Sequence, residues 1–256
     1  MARVRAIHLS PIKSLGLMSS ERATVTPDGI AGDRAFVLLD DRREVATMRR
    51  YGRLALAGSR FDPDSGELVV VLPDGSDVSG TVGGDQRETV LMFGRDVEGT
   101  IVEGPWAAAL SELAGSPMRL MRVDNGHAQD TYPMSLLSQA SLRELAERSG
   151  TAEVADPRRF RNTLLVDGIA AHEEDEWIGS DVRAGEVVLH VAERDPRCSM
   201  TTLNPASGQR DMDTLRMIVD YRTLQDGNIC FGVYADVTQP GTVAIGDTVE
   251  PLSKGS

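Results

Sequence analysis

The sequence predicts a strand-dominated α+β fold with a β-barrel-like core, and three observations carry that prediction. Short runs rich in Val, Leu, Ile, Ala and Phe recur through the first hundred residues, turn residues punctuate them, and helix signals are confined to a few stretches. Length and composition allow a sizeable core, since 256 residues at 41% hydrophobic content suffice for one large domain or two small ones.

In chain order, "RVRAIHL" (3–9), "RATVT" (22–26), "AFVLLD" (35–40), "LALAGS" (54–59), "GELVVVL" (66–72) and "ETVLMF" (88–93) read as strands. Between them stand Pro27-Asp28-Gly29, Asp40-Asp41, Asp62-Pro63-Asp64 and Pro73-Asp74-Gly75, where aspartate bonds its own backbone and glycine accepts positive φ. Pro105 opens a helix, "PWAAALSELAG", with Trp106, Leu110 and Leu113 on one face and Gly115 as its stop. A second helix, "SQASLRELAERSG", takes Ser138 or Ser141 as N-cap, Leu142, Leu145 and Ala146 as apolar stripe, and Gly150 as stop. Strands resume at "TLLVDG" (163–168), "EVVLHVAE" (186–193), "ICFGVYADV" (229–237) and "TVAIGDTVEPL" (242–252), with a short helix at "DTLRMIVDYR" (213–222). There is no internal repeat and no low-complexity linker. Strands give way to helices between Gly94 and Pro105, which separates either two domains or two halves of one unit.

Charge and cysteine content narrow the function. A formal net charge of −12 argues against the basic face that phosphate backbones need, and so against nucleic acid as a partner. The N-terminus "MARVRAIHLSPIKSLG" lacks the apolar core of a signal peptide, and the chain holds no apolar run of about 18 residues to span a bilayer. A cytoplasmic protein with no membrane partner is expected. Cys198 and Cys230 are too few for a disulfide framework, a four-cysteine zinc site or a cysteine-held iron–sulfur cluster.

Lys13 stands out because the only other lysine among 27 basic residues is Lys254. Within "SPIKSLGL" it is either a surface lysine on a turn or, with the Ser14 hydroxyl and loop N–H groups, a phosphate contact. Arg34 opens the apolar strand of "AGDRAFVLLD", and Arg49 and Arg50 follow in "ATMRRYGRL"; a surface ion pair is the better reading for Arg50. Arg158, Arg159 and Arg161 crowd one strand entrance in an acidic chain. They answer either a bound anion, which a guanidinium fork suits, or the "HEEDE" run at 172–176. Cys198 lies in the turn-rich "ERDPRCSMTTLNPASG", near Arg194 and beside Arg197; it is either an inert loop thiol or, since such cations favour the thiolate, a nucleophile or soft-metal ligand. Cys230, in an apolar strand, reads as core, and a Cys198–Cys230 disulfide is the less favoured alternative in a cytoplasmic protein. His8, His127, His172 and His190 show no metal-ligand spacing, and His190 reads as structural. Nucleophile-elbow, Walker and dinucleotide glycine motifs are absent.

These motifs together resemble the MOSC (molybdenum cofactor sulfurase C-terminal) domain family with its N-terminal β-barrel domain, and within it the branch of amidoxime-reducing components. The resemblance runs through "SPIKSLGL", "GIAGDRAFVLLD", "DTYPMSLLSQASLRELAER", "RRFRNTLLVDG", "EEDEW", "DPRCSMTTLNPASG" and "FGVYADVTQPGTVAIGDTVEPL", in family order over nearly the whole chain. It implies a barrel domain over 1–95 and a MOSC domain over 105–253. It further implies a molybdenum cofactor (Mo-molybdopterin) whose phosphate meets Lys13 and Ser14, and whose pocket is shaped by Arg34, Asp130, Ser138, Arg161, Asn162, Thr163 and Arg197. Cys198 would be the catalytic thiolate that ligates the metal. The implied activity is reduction of N-oxygenated small molecules with electrons from a separate ferredoxin- or flavoprotein-type partner. Two alternatives stand beside it: a sulfur or cofactor carrier using Cys198 as persulfide or transient ligand, and a non-catalytic binder of an anionic ligand. Where the family reads Arg-Phe-Arg-Pro-Asn, this chain reads Arg159-Phe160-Arg161-Asn162-Thr163. A one-residue shift in a strand turns a side chain to the other face, so either Thr163 replaces the asparagine or the pocket has diverged.

Overall fold

Alternating burial shapes the sheets. Strand Arg87–Met92 buries Glu88, Val90 and Met92 and exposes the residues between them, and Arg22–Thr26 and Glu67–Val71 follow the same period of two. The computed structural model describes residues 1–124, 128–225 and 227–252. His127 and Lys254 lie outside the described residues.

The fold is strand-dominated, as the sequence predicts. The largest sheet has eight strands in the order Val249–Pro251, Asp181–Ala184, Val187–Pro196, Cys230–Gln239, Met134–Ser138, Leu164–Asp167, Arg3–Leu9 and Met18–Ser20. It shares one core with the sheet Gly241–Ala244, Arg22–Thr26 and Gly29–Ile30, through Ile7, Val25, Leu136, Trp177, Leu189, Val233 and Val243. Strands Met134–Ser138 and Leu164–Asp167 pair in parallel, with helix Gln139–Ser149 between them in sequence, since a parallel pair needs a crossover. That helix starts where the sequence predicts: the Ser138 side chain accepts from Ala140 N at 3.1 Å, and Gly150 stops it with φ 70°. A second core gathers Ile12, Leu15, Phe36, Leu38, Leu68, Val70 and Trp106, and the indole of Trp106 donates to Leu68 O at 3.1 Å.

Several elements depart from the sequence reading. "LALAGS" is not a strand: Gly52–Leu56 forms a 3-10 turn and strand Gly58–Asp62 begins after it, because a short apolar run buries itself equally well in either form. "TVAIGDTVEPL" divides into Gly241–Ala244 and Val249–Pro251, which join different sheets. The polar strands Asp77–Thr81 and Arg95–Ile101 carried too little apolar signal to be foreseen, and Arg119–Val123, which buries Leu120, Met121 and Val123, was also missed. Strand Arg95–Ile101 fills the stretch between the two expected domains, pairing back to Arg87–Met92 and forward to Arg119–Val123.

The site depends on contacts between distant segments. Lys13 N donates to Phe36 O at 2.8 Å, Arg34 N to Ser10 O at 3.0 Å, and Ala128 N to Arg34 O at 2.6 Å. These bonds tie residues 10–15, 33–36 and 128–130 into one wall. Gly52 and Gly208 meet so closely that a Cβ on Gly52 would lie 2.0 Å from Gly208 O. Only glycine permits that approach. Among the described residues no helix is long and apolar enough to cross a membrane.

Candidate functional site

The loops at 10–17, 128–133, 157–163 and 195–202 converge on an open cleft of about 880 Å³, counted with the solvent at its mouth. Lys13, Ser14, Arg34, Asp130, Arg161, Thr163, Arg197 and Cys198 all line it. Three of these residues, Ser14 (φ 76°), Arg34 (φ 52°) and Arg161 (φ 58°), hold left-handed backbones. Such conformations cost free energy in residues other than glycine and persist where the surroundings fix them.

Lys13 is 7% exposed, and its Nζ donates to Ala128 O at 2.8 Å and to Asp130 Oδ1 at 2.5 Å. Burial pulls the ammonium below its ordinary value, partly offset by Asp130. Asp130 is held below the usual carboxylate range: burial opposes ionisation, but Lys13, Arg34 and Arg161 outweigh it. Arg34 pairs with the fully buried Asp33, whose Oδ1 accepts from Ser10 N at 2.6 Å. Arg161 differs. Its Nη1 donates to Leu15 O at 2.8 Å, and among the described residues no carboxylate pairs with it. Burial, with Arg34 adding to it, pushes this guanidinium down to about 10. Asp33 and Asp130 offset only part of that loss, so the buried cation is under-compensated.

Cys198 is exposed and free, and Cys230 is free and buried in its strand, so the disulfide alternative is not realised. Burial pushes the Cys230 thiol up, which fits its packing role. The cations expected to act on Cys198 have other partners. Arg194 pairs with Asp175 at 3.0 Å. Arg197 donates to Phe231 O and Phe160 O, each at 2.7 Å, and to Asn162 Oδ1 at 3.1 Å, and it pairs with Asp195 at 2.7 Å. Arg197 therefore braces the thiol's loop; its fork is turned into the protein.

The remaining expected residues separate by position. Thr163 lines the cleft with both hydrogen-bonding capacities of its hydroxyl occupied: it accepts from Ser135 N and donates to Ser135 O, each at 2.8 Å. Asn162 is buried outside the lining and supports Arg197. Ser138 also lies outside it, as the N-cap described above. The three clustered arginines do not bridge the "HEEDE" run: Arg158 pairs with Asp156 at 2.6 Å, Arg159 with Asp211 at 2.6 Å, and Asp175 is met by Arg194 and Arg222 instead. Arg50 pairs with Asp40 at 2.6 Å. Arg49 sits 5.7 Å from the ring centre of Phe93 at the cleft's edge. His190 pairs with Asp181 at 2.8 Å and His8 Nδ1 donates to Asn162 O at 3.2 Å.

Sequence reasoning missed Asp195, Tyr132 and Tyr234, which also line the cleft. Strand Val187–Pro196 runs further than its apolar residues suggest, so Asp195 looks like loop charge in the sequence and is 2% exposed in the fold. Among the described residues no three His, Cys, Asp or Glu side chains converge to hold a metal by themselves. A metal here would need ligands beyond the protein, and the donor set suits a metal-bearing anion, with Lys13, Arg34 and Arg161 lining the same cleft as a soft thiol.

Comparison with known proteins identifies the domains. Residues 1–117 match the family model of the MOSC N-terminal beta barrel domain, and residues 124–250 that of the MOSC domain. The chain is 30% identical to mitochondrial amidoxime-reducing component 1 of Mus musculus over 286 residues, covering 98% of this chain and 82% of that protein. It is 26% identical to mitochondrial amidoxime reducing component 2 of Bos taurus, covering 96% of this chain and 82% of that protein. It is 27% identical to molybdenum cofactor sulfurase of Drosophila grimshawi, covering 88% of this chain but only 30% of that longer protein. From its matched segments and its full-length likeness to these relatives, the chain belongs to the MOSC domain family, with the family's N-terminal beta barrel domain ahead of the MOSC domain.

Proposed function

We propose that this protein binds a molybdenum cofactor in the cleft and reduces N-oxygenated small molecules with electrons from a separate partner protein. The observation that carries the reading is Arg161, a buried guanidinium with no carboxylate partner among the described residues, in the same cleft as the free thiol of Cys198. Lys13, Ser14, Arg34 and Arg161 would hold the phosphate, and Cys198 the metal. Asp130 and Thr163 would shape the pocket, with Arg197 bracing the thiol's loop and Asn162 and Ser138 supporting the walls from behind. When bound, the cofactor supplies the redox chemistry. The net reaction takes R–NH–OH, two electrons and two protons to R–NH2 and water, breaking the N–O bond. The electrons would come from an iron–sulfur or flavin carrier. The relatives named as amidoxime-reducing components support the substrate class. Two free thiols suit a reducing compartment such as the cytoplasm.

A second reading rests on the exposure of Cys198 and the likeness to sulfurases: the thiol carries sulfur as a persulfide, and no metal stays bound.

Elemental analysis and pterin fluorescence on protein from a molybdate-supplied host decide between them, followed by an amidoxime assay with chemically reduced viologen as donor. The reductase reading expects near-stoichiometric molybdenum that vanishes in Cys198→Ala, and turnover by the loaded wild type. Loaded protein without turnover removes it, and a sulfur adduct on Cys198 without metal selects the carrier.

A further inference from the structure

The cleft contains one acidic group that holding an anion does not use. Asp195 is 2% exposed, lines the cleft, and pairs with Arg197 at 2.7 Å. The Tyr234 side chain lies close enough to the same carboxyl to favour its charged form. Its Oδ1, however, has no hydrogen-bond partner among the described residues. A buried carboxylate oxygen left without a donor is costly, and the cost is relieved when that oxygen carries a proton or meets a ligand. Burial pushes Asp195 up to about 7; Arg197, Tyr234 and Arg34 favour its charged form, and Asp130 opposes it. Tyr234 keeps its own proton, because burial and the neighbouring Asp195 hold it above its ordinary value. Tyr132 stacks on Tyr234 at 5.4 Å between ring centres and fixes it in place.

Breaking an N–O bond requires a proton on the departing oxygen, and the other ionisable groups of the cleft serve poorly. Asp130 is held ionised by Lys13, and Lys13 is committed to Asp130 and Ala128. Guanidinium groups are too basic to give up a proton near neutral pH. An acid that titrates near the working pH is the effective kind.

We propose that Asp195 gives the proton that the departing oxygen takes up as the N–O bond of a substrate held beside Cys198 breaks, with Tyr234 orienting the carboxyl. The inference rests on the reductase reading. In the step, two electrons from the iron–sulfur or flavin partner reduce the nitrogen and the N–O bond breaks. The Asp195 proton joins the departing oxygen to complete water, while solvent protonates the nitrogen and then Asp195.

Two measurements test it on the whole protein. Carbon-13 NMR of the aspartate carboxyls, recorded without cofactor, is expected to show one group with a midpoint near neutral that is absent from Asp195→Asn. With molybdenum content matched, the kcat of wild type is expected to fall as pH rises through that midpoint. Asp195→Asn is expected to lose about 100-fold or more in kcat with KM little changed, and Asp195→Glu to restore part of it. Should the Asn variant fail to fold, Tyr234→Phe serves: loss of the hydroxyl moves the carboxyl midpoint up, and the rate profile has to move with it. Wild-type kcat in Asp195→Asn, a carboxyl midpoint below pH 5, or a Tyr234→Phe shift seen by NMR but not in the rate each overturn the inference and leave the reductase reading intact. A loaded wild type that reduces no N-oxygenated substrate overturns both.

Discussion

Arg34 donates through Nη2 to the backbone carbonyl of Arg161 at 3.4 Å, joining residues 127 apart in sequence. Two arginines on left-handed backbones are thereby tied into one cleft, close enough for Arg34 to disfavour the charge on Arg161, which lacks a carboxylate partner among the described residues. Such a pair favours an anion before any chemistry is considered. Inorganic phosphate at 100 times its dissociation constant is expected to stabilise the cofactor-free protein by about 2.7 kcal/mol. That is a rise in Tm of roughly 5–10 °C for a chain of this size. Arg161→Gln is expected to abolish the rise while leaving stability in phosphate-free buffer equal or higher, since a like charge has gone. A phosphate effect that survives the substitution contradicts the assignment.

The two thiols differ in exposure and so in response. A thiol reagent is expected to label Cys198 quickly and Cys230 only on unfolding, as their exposure dictates. Cys198→Ser is expected to keep stability within about 0.5 kcal/mol and lose metal, whereas Cys230→Ala costs about 1–2 kcal/mol and keeps it. Metal lost equally from both variants would show that loading follows general stability and not Cys198.

His172 makes the fold acid-sensitive. Burial, reinforced by Arg222, lowers it from 6.5 to about 4, and it meets the Tyr221 hydroxyl at 3.2 Å through Nε2. Between those two pH values the unfolded chain binds the extra proton, so stability is full above about 6.5 and falls as pH drops through the window. The loss amounts to at most about 3 kcal/mol. Urea denaturation at pH 7 and pH 4.5 is expected to give a smaller difference for His172→Gln than for wild type. An unchanged difference assigns the slope to other groups.

Gly52 and Gly208 set the distance between the 3-10 turn Gly52–Leu56 and the loop that follows Cys198. Gly52→Ala places a Cβ 2.0 Å from Gly208 O, whereas a Cβ on Gly83 meets nothing within 4 Å. Gly52→Ala is expected to cost about 1–3 kcal/mol and to lower molybdenum content, because the backbones must part. Gly83→Ala is expected to fall within about 0.5 kcal/mol of wild type. Equal melting curves for wild type and Gly52→Ala would show that the two loops do not constrain each other.

What the sequence could show was local. Period-two strands such as Arg22–Thr26 and the helix between Ser138 and Gly150 were legible because each depends on neighbours a few residues away. Lys13, Arg161 and Cys198 were legible as chemical exceptions: a rare lysine, a crowded arginine and a thiol in a polar turn.

The tertiary structure decided which of these groups still face the cleft once pairing and burial are settled. Arg159 and Arg161 are near neighbours in sequence, yet Asp211 takes the first and the second has no such partner among the described residues. Asn162 and Thr163 are adjacent, yet one braces Arg197 from behind while the other lines the wall. Asp195 looked like ordinary loop charge until Arg197, Tyr234 and burial enclosed it. The reason is physical: a residue type sets which bonds a side chain can form, whereas desolvation and partners from distant segments set which of those bonds remain open.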